Sequence, residues 1–262
     1  MNLSWLYHIP SFLFFILVIL FFAGFSVSGF LLTRKYIKRW LGEPPAQNEV
    51  LSYYIAATGV VYGIILGLIA VGVWEHYIRI NSYVEEEAAN LTALYRDVSS
   101  YPEPSRSQMR AELKQYTLYL VKEAWPLQEK GIVSSGGVDL MDHFQENLYA
   151  FEPRTEGQKI VHNSCLIQYN QYISLRRLRI ENVTREVPYM IWWVVFFSAL
   201  INLILSWLFV VKNGALHVLM NALLGALIGS LIFLIITLDF PFKGWFRITS
   251  EPFETAYQQL MR

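Results

Sequence analysis

The sequence predicts an all-α membrane protein with four transmembrane helices and a helical soluble bundle between spans two and three. Three observations carry that reading. Apolar residues gather in four runs, 9–32, 55–74, 187–211 and 214–238, each about long enough to cross a bilayer core as a helix. None of the runs shows the short alternating pattern of barrel strands, and a helix satisfies its own backbone hydrogen bonds in lipid. The second run passes without Gly or Pro into a charged stretch, 75–100. There Tyr77, Val84, Ala88, Leu91, Tyr95 and Val98 keep a spacing of three, four or seven. One continuous helix over 51–100 therefore leaves the membrane and becomes soluble.

Composition narrows the function classes. With 262 residues, 54% hydrophobic and 16% aromatic, the chain is too apolar for an ordinary soluble domain. A formal net charge of zero implies no nucleic-acid partner. The single cysteine, Cys165, excludes an intrachain disulfide and a thiolate metal cluster. His8, His76, His143, His162 and His217 lack ligand spacing, so no metal is expected. Without a Ser-His-Asp grouping, phosphate loop or nucleotide motif, the sequence reads as a non-enzyme with no cofactor.

Residues 1–9 carry no Lys or Arg and the first apolar run exceeds a usual signal core, so it reads as a retained helix despite the small residues Ser26-Val27-Ser28. Arg34, Lys35, Lys38 and Arg39 follow it, then Trp40 and a Gly-Glu-Pro-Pro loop at 42–45. The other short loop, Lys212-Asn213-Gly214, is also positive. Positive short loops favour the cytoplasm, which puts residues 75–186 outside it. Arg176, Arg177, Arg179 and Arg185, ahead of span three, argue the other way. The domain expectation is 1–74 for spans one and two, 75–186 for the bundle, 187–238 for spans three and four, and 239–262 for a C-terminal tail.

Within the bundle, Ser105 with Gln108 forms a capping box, and Met109, Leu113, Tyr116, Leu120 and Ala124 share an apolar face. Pro126 and Gly131 are expected to end that helix. A short helix opens at Asp139 and runs to the break at Pro153. Thr155 with Gln158 caps the last helix, which has Leu166, Tyr169, Ile173 and Ile180 on one face. Glu85, Glu86 and Glu87 read as a solvated face, because consecutive carboxylates point around a helix.

Two patterns inside the spans are candidates for function. Gly59, Gly63 and Gly67 lie four apart in span two, and Gly225 with Gly229 repeats the spacing in span four. Such ridges let helix backbones approach, within one chain or between copies around a shared pore. Ser198, Asn202 and Ser206 form a polar stripe in span three, and His217 and Asn221 stand in register with the glycines of span four. The stripes serve as interhelical hydrogen bonds or as the lining of a hydrated path. No span carries an ionisable residue near its centre, which disfavours a proton relay or charged-substrate carrier.

Asn48-Glu49-Val50, Gly59-Val60-Val61-Tyr62-Gly63, Val73-Trp74-Glu75, Ala93-Leu94-Tyr95-Arg96-Asp97, Pro102-Glu103-Pro104 and Glu123-Ala124-Trp125-Pro126 form a set with later residues. The later part comprises Arg176-Arg177-Leu178-Arg179, Pro188 with Trp192, Leu238-Asp239 to Phe242, and Glu251-Pro252-Phe253. Over roughly residues 24–260 this set resembles the bestrophin-like domain of bacterial membrane proteins. The resemblance implies kinship with oligomeric anion channels that have four membrane helices per subunit and a cytoplasmic helical region. It carries over no ion-binding residue. The expectation is a homo-oligomeric channel in contact with membrane lipid and passing small anions; the alternative is a non-conducting sensor or scaffold whose bundle binds a partner.

Overall fold

The computed structural model describes residues 10–41, 46–244 and 246–261. His8 and the expected loop at 42–45 lie outside them. The described residues form helices and no strand: α1 (Ser11–Leu41), α2 (Ala46–Val98), α3 (Ser105–Tyr119), α4 (Trp125–Gln128), α5 (Gly136–Ala150), α6 (Glu156–Glu181), α7 (Tyr189–Trp207), α8 (Gly214–Asp239) and α9 (Glu251–Ala256). Four of them, α1, α2, α7 and α8, are long and apolar enough to cross a membrane. The 53 residues of α2 run unbroken through the apolar and charged stretches, as the uninterrupted periodicity predicts.

Contacts divide the chain into two compact units. The first comprises residues up to Glu75 and Glu186–Asp239. In it α8 lies along α1, and α7 packs against both. The approach is close because Gly225 and Gly229 face the α1 backbone. A Cβ on Gly225 would stand 2.5 Å from the Phe22 carbonyl oxygen and 2.8 Å from Ala23 Cα. At Gly229 the nearest atoms would be Phe22 Cβ and the Val18 carbonyl, both at 3.2 Å. Gly29 of α1 likewise leaves room for the Trp207 ring. Asn48 ties the start of α2 to the connection after α7, donating to the Val210 carbonyl at 2.8 Å and accepting from Val210 N–H at 3.1 Å. Asp239 accepts from Val187 N–H at 2.7 Å, just before Pro188 starts α7.

The second unit comprises His76–Arg185 and Phe240–Arg262. Its core gathers Val84, Leu91 and Leu94 of α2, Met109 and Leu113 of α3, Phe144 and Leu148 of α5, and Cys165 and Tyr172 of α6. Burial pushes the Cys165 thiol up to about 11, so it stays protonated and inert near neutral pH.

Several expectations are corrected here. Ser105 is the first residue of α3 and makes no cap; Pro104 is the N-cap, and Glu103 accepts from Ser107 N–H instead. Pro126 does not end the helix. Its missing N–H and its ring are absorbed by a π-turn at Leu120–Ala124, where Trp125 N–H reaches the Leu120 carbonyl, and the chain continues through α4. Gly131 does end it: φ is 76°, and paired bonds from Gly131 N–H to Gln128 and from Ile132 N–H to Leu127 close a Schellman turn. The capping box of Thr155 and Gln158 forms as expected.

Glu87 is not part of a solvated face. It is fully buried, while Glu85 and Glu86 are exposed. Its carboxylate accepts from Arg179 Nε at 2.6 Å and Nη2 at 3.0 Å, and Arg179 Nη1 donates to Gln128 at 2.5 Å. The Arg179 guanidinium also lies 5.3 Å from the Trp125 ring centroid and 6.0 Å from that of Phe253. The segment after Asp239, expected as a C-terminal tail, packs into the same unit. Phe242, Ile248, Phe253 and Met261 are buried in this core, with Phe242 and Phe253 against Trp125 at 5.9 and 5.7 Å.

Candidate functional site

The span residues singled out by the sequence separate into three groups once side chains are placed. Ser206, His217 and Asn221 come together between α7 and α8. Ser206 Oγ donates to Asn221 Oδ1 at 3.0 Å, and His217 Nε2 meets the Ser206 carbonyl at 3.1 Å. Asn221 Nδ2 donates to the His217 carbonyl at 3.0 Å. Ser26 of α1 adds a longer bond to Asn221 Oδ1 at 3.4 Å, and its carbonyl accepts from Trp207 Nε1 at 2.8 Å. Phe30 covers the imidazole with ring centroids 4.0 Å apart. The group is buried, and its members satisfy one another across three helices.

Asn202 and Ser198 stand apart, against α2. Asn202 Oδ1 accepts from Thr58 Oγ1 at 3.2 Å, and its amide donates to the Ser198 carbonyl at 2.9 Å. Beside them a groove of about 270 Å³ opens between α2 and α7, lined by Ala57, Val61, Tyr62, Ile65 and Ile201 with these polar groups. The Tyr62 hydroxyl is buried and finds no hydrogen-bond partner among the described residues.

The glycines divide too. Gly225 and Gly229 are consumed by packing on α1, whereas a Cβ at Gly63 or Gly67 would meet nothing within 4 Å. At Gly59 the nearest atom is Asn202 Oδ1, at 3.9 Å. On the same helix Val60, Ile64, Leu68 and Val71 are more than half exposed. A lone subunit thus presents α2 with an uncovered apolar and glycine-bearing surface.

Ser26, Thr58 and Trp207 carry no functional signal of their own in the sequence, and Tyr62 stands there only within a motif that resembles the family's. Ser26 was visible only as a small residue in a possible cleavage site. Thr58 neighbours a ridge glycine, but its bond to Asn202 crosses 144 positions. Among the described residues, no three His, Cys, Asp or Glu side chains converge on a metal-sized point.

The sequence pattern of the bestrophin-like domain matches residues 8–253. The chain belongs to the bestrophin-like family. Family membership and four apolar helices make it a membrane protein of the bestrophin fold. A bestrophin homolog from Klebsiella pneumoniae superposes with a TM-score of 0.72 at 10% identity, over 94% of this chain and 97% of that one. A second structure of a homolog from that organism gives 0.71 at 11% identity, over 94% and 97%. A structure described as a membrane protein gives 0.70 at 10% identity, over 97% and 98%. No curated protein matches significantly.

The bestrophin-like motifs do not all meet in the spans. Four residues from separate motifs gather in the second unit: Arg179 pairs with the buried Glu87, Trp125 and Phe253 lie against its guanidinium, and Phe242 packs on Trp125. That part of the family signature holds the fold together.

Proposed function

We propose that this chain is the subunit of a homo-oligomeric membrane channel that passes small anions. The observation that carries the proposal is the uncovered face of α2: Gly63 and Gly67 open to space beside exposed Val60, Ile64, Leu68 and Val71, on a chain of the bestrophin-like family. Small residues let helices of neighbouring copies approach in lipid, where the hydrophobic incentive is absent. A ring of copies would leave part of α2 around a central path. The lack of an ionisable residue near the centre of any span suits a passage that must not hold its ion tightly. Tyr62, Thr58 and Asn202 supply neutral polar groups at the α2–α7 groove.

In this reading residues 1–74 and 187–238 lie in a bacterial inner membrane, and 75–186 form the soluble bundle. The positive short loops support a bundle outside the cytoplasm. One opposing charge is weakened as an argument, because Arg179 is neutralised by Glu87 in the core and is not free to meet lipid headgroups. Anion flux from the purified protein in liposomes tests the proposal, with the oligomer mass measured in parallel.

A second reading, a non-conducting sensor or scaffold, is favoured by the closed polar group of Ser206, His217 and Asn221. Their mutual bonds account for three of the five polar span residues without a hydrated path. A stable oligomer with no flux would support it.

A further inference from the structure

In the unit formed by His76–Arg185 and Phe240–Arg262, the start of α5 and the C-terminal half of α6 flank an open groove of about 440 Å³. That is within the size range of small-molecule pockets. Its walls are apolar, made by Val133 and Val138 on one side and Ile173 and Ile180 on the other. Two arginines stand at the groove. Arg177 is matched by Glu181, Nε to Oε1 at 2.8 Å. Arg176 makes no ion pair among the described residues.

What holds Arg176 is not a counter-charge. Its guanidinium carbon lies 5.7 Å from the Tyr116 ring centroid, and a Cβ on Gly137 would come within 3.3 Å of Nη2. An aromatic face and a missing side chain thus seat the group against α5, leaving its planar fork of donors uncommitted. Such a fork matches the two oxygens of a carboxylate better than a point charge would. An unmatched cation beside an apolar trough selects a ligand with one anionic end and one apolar body. Ser134 and Ser135 also line the groove, the Ser134 hydroxyl being bonded to that of Tyr119.

We infer that this groove binds a long-chain carboxylate, with the acyl chain on Val133, Val138, Ile173 and Ile180 and the carboxylate on Arg176. A single free cation pairs with a single negative charge, and one trough takes one chain, which favours a free fatty acid over a two-chain anionic phospholipid. The inference is independent of conduction.

The test uses the full chain in phosphatidylcholine vesicles with a diazirine-bearing palmitate as photoprobe. Labelling should map to peptides from 131–138 and 173–181 and be competed by palmitate but not by its methyl ester or by phosphatidylglycerol. Arg176→Ala should lower labelling there at least about tenfold and Arg176→Lys less, while Arg154→Ala, which is not among the groove-lining residues, should change it under twofold. Should Arg176→Ala fail to fold, Val138→Asp places a repelling charge in the trough at an exposed position and should give the same loss. Labelling unchanged in a folded Arg176→Ala or Val138→Asp protein overturns the site. So does label confined to the membrane helices, or equal competition by the methyl ester or phosphatidylglycerol.

Discussion

In the core of the second unit Glu87 and Arg179 form a buried ion pair. Both side chains are almost wholly buried, the pairing is bidentate, and Gln128, Trp125 and Phe253 surround the guanidinium. Removing one partner strands a charge in the core and costs about 3–5 kcal/mol, while replacing both with apolar groups of similar volume is far milder. Arg179→Met should therefore lower the thermal midpoint sharply, and Glu87→Leu with Arg179→Met should restore much of it. Equal midpoints for the single and double variants would contradict this assignment. A second residue-scale prediction concerns His162, whose Nδ1 lies 2.7 Å from the Tyr101 hydroxyl. Burial holds its pKa below the usual value of about 6.5. The unfolded chain then binds the proton more readily, so stability is full above about pH 6.5 and declines below it, levelling off under the folded pKa. Thermal unfolding across pH 4.5–8 should show a shallower decline in His162→Gln than in the parent.

At the scale of elements, identical spacing conceals different roles. Gly225 sits against the α1 backbone and Gly63 against nothing. Gly225→Leu should disrupt the α1–α8 pair by overpacking, costing about 1–3 kcal/mol or more, because the atoms it meets are backbone and cannot rotate away. Gly63→Leu should leave a single subunit's stability unchanged and reduce the oligomer mass in mild detergent. An unchanged mass would remove the glycine face from the interface.

This difference also marks how far the sequence could be read. The helices were legible because periodicity and apolar run length are local properties, and the Thr155–Gln158 cap and the Gly131 stop are local as well. The fate of each glycine depends on which helix arrives opposite, and no spacing encodes that. Glu87 stands three residues after Val84 and four before Leu91, beside the apolar stripe that Glu85 and Glu86 point away from, so its side of the helix is legible; its partner, 92 positions away, is not. Pro126 was misread because a π-turn can absorb a proline when Trp125 beside it is anchored in the core. The candidate site was legible as polar and small residues in apolar runs, but its division into a closed group and an open groove was not.

For the whole molecule, orientation and conduction are the claims at stake. With Cys165 buried and inert, a single cysteine introduced at Ser135 reports the second unit's side of the membrane. The charge argument predicts labelling by an impermeant thiol reagent in intact spheroplasts, and labelling of Asn213→Cys only after lysis. The opposite pattern would place the bundle in the cytoplasm, as the bestrophin resemblance implies. Asn202→Leu separates two roles of the α2–α7 groove. As a helix bridge to Thr58 its loss costs roughly 1 kcal/mol with flux intact, whereas on an ion path its loss lowers flux while the fold persists.

Anion flux itself bears most directly on the proposed function. Purified wild-type oligomer reconstituted into chloride-loaded liposomes should release chloride faster than protein-free liposomes, in proportion to the protein incorporated. Release at the protein-free rate, from preparations whose oligomer is intact and correctly inserted, would contradict the channel assignment.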